Sequence, residues 1–233
     1  MSSPIAKARK SILDRALIRL HQRLSHGRRV RTLAVASLNE ISQAQSGRGG
    51  LRILDVGCGD MTIADQLLAL DPSLTVQCVD LYPCPDGLAR SDARWARYRQ
   101  FDGVNLPFGS DSVDVVLFSD VLHHVPEPLR APLLAEAARV GRLLVIKDHF
   151  EGGFYSRFVL RAMDFVGNSG YGVSVPRRYF DGARLEGLCL SAGLRQRSIR
   201  VGIALYDHLP VLRHLLRPQW QFIAVMQRPD QEP

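Results

Sequence analysis

The sequence has little cysteine and no long apolar run. The four cysteines form no CxxC pair and have no histidine at ligand spacing; they are Cys58, Cys78, Cys84 and Cys189. This pattern argues against a structural zinc site, and we expect reduced thiols in a cytoplasmic protein. No segment approaches the roughly 20 apolar residues that span a bilayer. The arginine-rich start lacks the apolar centre of a signal peptide, so we do not expect export.

Acidic residues are scarce at the start of the chain. Residues 1–52 carry eleven Lys and Arg but only two acidic residues, whereas the remainder has slightly more acid than base. Apolar spacing of three and four predicts two amphipathic helices there, one on Leu13, Leu17, Leu20 and Leu24 and one on Val30, Leu33, Ser37, Leu38 and Ile41. The spread of the arginines favours a solvated helix face, although peripheral contact with an anionic membrane would also suit them.

A glycine-rich joint at 46–50 divides the chain into a helical extension, residues 1–46, and a main domain, residues 47–233. In the main domain short apolar runs alternate with helical patterns, which is typical of an α/β fold with a mostly parallel sheet. The predicted strands are 51–56, 74–80, 97–101, 113–119, 142–148, 195–206 and 219–227, and the predicted helices are 61–70, 88–96, 128–140 and 181–192. An insertion is expected near 152–180.

The first strand leads into a glycine turn, Asp55-Val56-Gly57-Cys58-Gly59, that opens a helix. Such a turn lets the backbone approach a nucleotide closely. A dinucleotide fingerprint would need a third glycine at Thr62, and a pyrophosphate would be repelled by Asp55. A ligand with an ammonium or sulfonium charge would instead be attracted by that carboxylate.

Two further acids end the next strands. Asp80 follows Asp55 by 25 residues, at a spacing where a carboxylate can bind both ribose hydroxyls. Asp102 ends the third strand and could accept a hydrogen bond from the exocyclic amine of adenine. Each acid alone would also suit a solvated strand end.

Together these motifs resemble the class I S-adenosylmethionine-dependent methyltransferases, in their small-molecule, ubiquinone-biosynthesis-like branch. The residues that carry the resemblance are Asp55-x-Gly57-x-Gly59, Asp80, Asp102, Leu106-Pro107-Phe108, Asp114-Val115-Val116 and Leu122-His123-His124-Val125. The resemblance covers roughly residues 50–150. It implies a Rossmann-like seven-stranded sheet with one antiparallel strand and helices on both faces. At Met61, where the family often has a third glycine, the sequence departs from the pattern.

The resemblance also implies S-adenosylmethionine as the cofactor and a set of binding residues, namely Asp55, Gly57, Gly59, Asp80, Leu81, Asp102, Gly103 and Ser119. Gly57 and Gly59 would line the methionine part, and Asp55 would orient its amino group. Asp80 would hold the ribose, and Asp102 with Gly103 would contact the adenine. We expect no metal.

The methyl acceptor should lie beyond the carboxyl ends of the fourth and fifth strands. There His123, His124 and Asp148 resemble the residues beside the acceptor hydroxyl in indolocarbazole-type sugar O-methyltransferases. The resemblance suggests O-methylation, with His124 as the base and His123 or Asp148 assisting it. Lys147 and His149 are further candidates. A purely structural role for the two histidines is the alternative.

The insertion is rich in aromatic residues, including Phe154, Phe158, Phe165 and Tyr171. We expect these side chains to line an apolar pocket or to close the core of a small lid. The expected partner is therefore a small, largely apolar or aromatic acceptor with lipid-like character.

Other functions remain open at this point. The chain could be an N- or C-methyltransferase, a nicotinamide-dependent oxidoreductase or a non-catalytic cofactor-binding scaffold. Nucleic acid is disfavoured as a substrate, because the sequence has no aromatic-interleaved basic sheet. The sequence does not determine the oligomeric state.

Overall fold

The alternating pattern forms one twisted sheet in the computed structural model, which describes residues 27–47, 49–83, 91–168, 175–209 and 212–229. The strands are β1 Arg52–Val56, β2 Thr75–Asp80, β3 Tyr98–Gln100, β4 Val113–Ser119, β5 Gly141–His149, β6 Arg195–Val201 and β7 Gln221–Gln227. The α-helices are α1 Gly27–Ala44, α2 Thr62–Leu70, α3 Glu127–Val140, α4 Phe154–Asn168, α5 Gly182–Ser191 and α6 Leu212–Leu215. Short 3₁₀ helices cover Ala93–Arg97 and Pro218–Trp220.

The seven strands lie in the order β3-β2-β1-β4-β5-β7-β6. Strands β1 to β5 pair in parallel, and β7 is antiparallel to both of its neighbours. This confirms the implied seven-stranded sheet with one antiparallel strand. The strand order reverses between β1 and β4, and ligands of open α/β sheets bind at such a switch point.

Side chains alternate between the two faces of the sheet, which is why both faces carry helices. On β4, Val115 and Leu117 join the apolar cluster that includes α1 and α2, whereas Val116 and Phe118 join the cluster that includes α3 and α5. All four side chains are fully buried. Burial on both faces explains why this strand reads as a continuous apolar run.

Helix α1 confirms the second predicted amphipathic helix. Its Val30, Leu33 and Ile41 are buried, and they pack on the same face of the sheet as α2. Its buried Glu40 lies 3.7 Å from an Arg200 nitrogen. The first predicted helix, with Leu13 to Leu24, lies outside the described residues, and the boundary at residue 46 stays a prediction.

Several element boundaries differ from the predictions. Strand β6 ends at Val201 rather than near 206, because Gly202 takes a left-handed φ of 96° and turns the chain. A 3₁₀ helix at Ala93–Arg97 replaces the described part of the helix expected over 88–96. Within the described residues, no helix is both long and apolar enough to cross a membrane.

Candidate active site

The glycine turn after β1 is tightly packed. Gly57 has a φ of 75°, and a Cβ atom there would lie 2.6 Å from a methyl group of Val121. Gly59 also has a positive φ of 54°, but a Cβ there would meet no atom within 4 Å. The side chain of Val121 therefore leaves no room for a side chain at Gly57, whereas Gly59 faces open space that a ligand can occupy.

Met61 takes the left-handed conformation that glycine adopts without strain, with φ 61° and ψ 17°. Its side chain is fully buried. The departure from the family pattern therefore leaves the turn in place, and the buried side chain offsets the strain of the backbone.

Asp55 lies buried beneath this turn, with 2% of its surface exposed. Its Oδ2 atom has no hydrogen-bond partner among the residues that the structure describes. Burial, with the nearby Asp80 and Asp60, raises the pKa of Asp55 to about 7. A cationic group placed here would therefore satisfy an orphaned carboxylate oxygen.

Asp80 ends β2 beside the glycine turn. Its Oδ2 atom accepts a hydrogen bond of 2.9 Å from the backbone N–H of Gly59, and its Oδ1 atom accepts one of 3.3 Å from Tyr82. The side chain is half-buried. The carboxylate is thus fixed at the mouth of the turn and keeps lone pairs for two hydroxyl donors.

Leu81 and Gly103 pack against each other in the loops that follow β2 and β3. A Cβ atom on Gly103, which has a φ of 97°, would lie 2.8 Å from a methyl group of Leu81. The Asp102 side chain accepts hydrogen bonds from Val104, Asn105 and the Asn105 amide, and these bonds lower its pKa. Asp102 therefore shapes this loop as well as offering a further acceptor to a ligand.

Ser119 ends β4, in parallel register with Lys147 at the end of β5. Its Oγ atom is buried and has no hydrogen-bond partner in the described part of the chain. Like the orphaned oxygen of Asp55, this hydroxyl can therefore bind a ligand, because no described residue bonds to it.

His123 and Asp148 form a buried ion pair at the acceptor side of the site. The Nδ1 atom of His123 lies 2.6 Å from Asp148, and its Nε2 atom lies 3.4 Å from Asp164 on α4. Burial lowers the pKa of His123, but the two carboxylates outweigh it and raise that pKa to about 10. His123 is therefore an imidazolium ion at neutral pH, and it cannot accept another proton.

His124 is half-buried next to this pair. Its ring lies 3.9 Å from the ring of His123, measured between centroids. The structure thus brings together the three residues predicted for proton transfer, His123, His124 and Asp148.

Lys147 and His149 lie beside this ion pair and contact a third carboxylate, that of Asp120. The fully buried Lys147 ammonium pairs with Asp120, and His149 lies 3.4 Å from the same carboxylate. Burial opposes ionisation of Asp120, but Lys147 and then His149 lower its pKa to about 2. Asp120 also lies 4.0 Å from Arg29 of α1. Burial lowers the pKa of Lys147, and its ion pair with Asp120 opposes that shift.

Metal-ligating atoms also meet here. Within the described residues, His123, Asp148 and His149 bring such atoms within 4.8 Å of one another, as do His123, His124 and Asp164.

The sequence did not single out Asp164 or Tyr179. The Tyr179 hydroxyl donates a hydrogen bond to Asp164, and the Tyr179 ring lies 5.4 Å from that of His123. Burial and Asp164 raise the pKa of Tyr179, which keeps its hydroxyl protonated. The available signal was a lone acid in an otherwise apolar and basic segment, which is costly to bury unless it has a partner.

One expectation for the insertion is wrong. Phe154, Phe158 and Phe165 are 83%, 64% and 65% exposed, so these three side chains enclose no pocket with the other described residues. Helix α4 instead packs through other residues, such as the buried Leu160. Tyr171 lies outside the described residues, and so does Cys84.

Comparison with known proteins agrees with this geometry. Residues 54–143 match the methyltransferase domain family. An uncharacterized methyltransferase of Mycobacterium sp. (strain JLS) is 38% identical over 96 residues, which is 40% of this chain and 36% of the relative. Residues 54–143, the segment that carries the glycine turn and the strand-end acids, are therefore similar to class I S-adenosylmethionine-dependent methyltransferases. The match thus spans little more than a third of that relative's length.

Solved structures of methyltransferases share the fold. A SAM-dependent methyltransferase of Methanosarcina mazei matches with a TM-score of 0.55 and 18% identity, over 78% of this chain and 93% of that chain. The mitomycin 7-O-methyltransferase MmcR matches with a TM-score of 0.57 and 16% identity, over 93% of this chain and 56% of that chain. The cofactor of the family, S-adenosylmethionine, fits the site, because its ammonium group suits the orphaned oxygen of Asp55.

Proposed function

We propose that this protein transfers a methyl group from S-adenosylmethionine to a hydroxyl oxygen of a small, largely apolar or aromatic acceptor. One observation carries the proposal: a carboxylate-bound His123 lies directly beside a half-buried His124, just beyond the end of β4. The mitomycin 7-O-methyltransferase, whose name describes transfer to oxygen, shares this fold.

The cofactor side of the site follows from the turn after β1. Asp55 would bind the ammonium group, Asp80 the ribose hydroxyls, and Leu81 with Gly103 would flank the adenine. When bound, S-adenosylmethionine supplies a methyl group on a positively charged sulfur. The chain contributes by aligning the reactants and excluding water, worth up to roughly 7–11 kcal/mol in favourable cases.

We assign the proton acceptor to His124, because His123 already carries its proton. Asp148 and Asp164 hold the ring of His123, and that ring in turn supports His124. A positioned base typically accelerates transfer to an alcohol or phenol by about 10²–10⁴-fold. In this assignment His123 and Asp148 are positioning residues.

The test compares His124→Asn with His214→Asn, a control at an exposed histidine of α6. Calorimetry with S-adenosylhomocysteine and turnover on catechol-type and long-chain alcohol acceptors are measured for both variants. We expect normal cofactor binding in both and a rate loss of at least about 100-fold in His124→Asn alone. A loss below about tenfold contradicts general-base O-methylation and favours an acceptor, such as an amine, that arrives deprotonated.

A further inference from the structure

Helix α4 exposes an unusual row of aromatic side chains. Phe154, Phe158 and Phe165 are each more than 60% exposed, and Arg161 between them is exposed as well. Steps of four, three and four residues keep these four positions on one face of a helix with 3.6 residues per turn. We call these four residues the α4 face.

The remainder of α4 is anchored in the protein. Leu160 and Ser156 are both 2% exposed, and Asp164 lies 3.4 Å from His123 in the active site. The orientation of the helix is therefore fixed, and the α4 face points outward. Three large aromatic side chains in water on one helix face mark an interaction surface.

The charge around α4 is positive. Residues 152–180 contain four arginines and one acid, Asp164, and that acid faces the active site. The nearby carboxylate of Glu151 is almost fully buried and is shared by Arg157 at 2.9 Å and Arg178 at 3.7 Å. Arginines therefore outnumber acidic residues by four to one in residues 152–180.

Phenylalanines on either side of an arginine on one helix face match the boundary between lipid headgroups and acyl chains. The aromatic rings suit the apolar side of that boundary, and the guanidinium groups suit anionic phosphates. A protein partner would need a groove that receives a convex row of rings, whereas a bilayer accommodates it without a matched shape.

We propose that the α4 face docks this protein on anionic membranes. Because Asp164 on the same helix contacts His123, docking places the active site next to the lipid surface. An acceptor dissolved in the bilayer could then reach the site without crossing water. This use of docking rests on the proposed methyl transfer, but docking itself does not.

Flotation with phosphatidylcholine vesicles, with and without phosphatidylglycerol, tests the proposal on the full chain. We expect the wild type to float with phosphatidylglycerol-containing vesicles at low salt. Replacing Phe158 and Phe165 together by Ser should weaken binding at least about tenfold, and Arg161→Gln should weaken it about fivefold. The control Leu190→Ser removes an apolar side chain that is 60% exposed on α5 and should bind like the wild type.

Binding of S-adenosylhomocysteine by each variant shows that it is folded. Absence of wild-type flotation overturns the proposal, and so does equal flotation of the wild type and the double Phe variant. Sedimentation velocity without vesicles tests whether a second copy of the chain binds the α4 face instead. If the wild type is dimeric and the double Phe variant monomeric, the α4 face binds a second copy and the proposal is wrong. Loss of methyl transfer with flotation intact would contradict only the proposed function.

Discussion

Asp55→Asn should have opposite effects on stability and on cofactor binding. The carboxyl group is buried with an orphaned oxygen, and burial is the largest cause that raises its pKa to about 7 from an ordinary 3.8. Between these two values the folded state holds a proton that the unfolded chain has released. The free energy of unfolding therefore falls as the pH rises from about 4 to about 7, and the lost stability is not regained at higher pH.

The size of this effect follows from the shift. A difference of about three pKa units corresponds to up to about 4 kcal/mol above pH 7. Asparagine is neutral but leaves a polar group partly unsatisfied, so we expect the cofactor-free variant to be more stable than the wild type by about 1–3 kcal/mol at pH 8. Near pH 4 the two proteins should be equally stable.

Cofactor binding should change in the other direction. The ammonium group of S-adenosylmethionine needs the ionised carboxylate, so wild-type affinity should rise as the pH passes through about 7. Asp55→Asn should weaken binding by about 1.5–3 kcal/mol at pH 8 and remove that pH dependence. Asp71→Asn, a control at the end of α2 whose carboxylate binds Ser73, should leave cofactor binding unchanged.

Urea denaturation at several pH values and calorimetry with S-adenosylmethionine measure the two effects. The reasoning is refuted if Asp55→Asn is less stable than the wild type at pH 8, or if it binds the cofactor normally. Lower stability would show that the Asp55 carboxylate has a partner in the folded protein, and normal binding would show that it does not bind the cofactor's ammonium group.

Three further outcomes follow from the structure. The pKa of His123 is raised from 6.5 to about 10. The free energy of unfolding of the wild type, measured in urea, should therefore be greatest below pH 6.5 and should fall as the pH rises to about 10. Asp148→Asn should flatten this dependence and lower the free energy of unfolding by about 3–5 kcal/mol at pH 7. Gly57→Ala should lower the melting temperature, and adding Val121→Ala should recover part of the loss; no recovery would contradict the packing argument. Met61→Gly should lower the free energy of unfolding in urea by about 1–3 kcal/mol, because the loss of the buried side chain outweighs the relief of backbone strain. A more stable variant would show that the strain is the larger effect.

The sequence was sufficient to predict the sheet and the meeting of the strand-end acids, because both depend on local patterns. The glycine turn and the acids at Asp55 and Asp80 each end a strand, and parallel strands bring their carboxyl ends to one edge. Even Met61, which departs from the pattern, leaves a recognisable turn. Proximity then follows from topology alone, without knowledge of any helix orientation.

The acceptor side was less predictable because it depends on how α4 is rotated. Apolar spacing shows that α4 is amphipathic, but both its faces carry apolar residues, so the pattern alone could not assign Phe158 to solvent and Leu160 to the core. The same rotation brings Asp164 to His123. That contact joins residues 41 positions apart, and no local motif signals it.

The charges near His124 are balanced, which bears on the proposed reaction. Three buried or partly buried cations face three carboxylates, namely Arg29, His123 and Lys147 with Asp120, Asp148 and Asp164. In the proposed transfer His124 gains a proton while the positive charge on the cofactor sulfur is lost. The net charge of the site is then unchanged, so the surrounding ion pairs need little rearrangement as the methyl group moves. Arg29 belongs to α1 and Asp164 belongs to α4. This balance of charge therefore requires both helices.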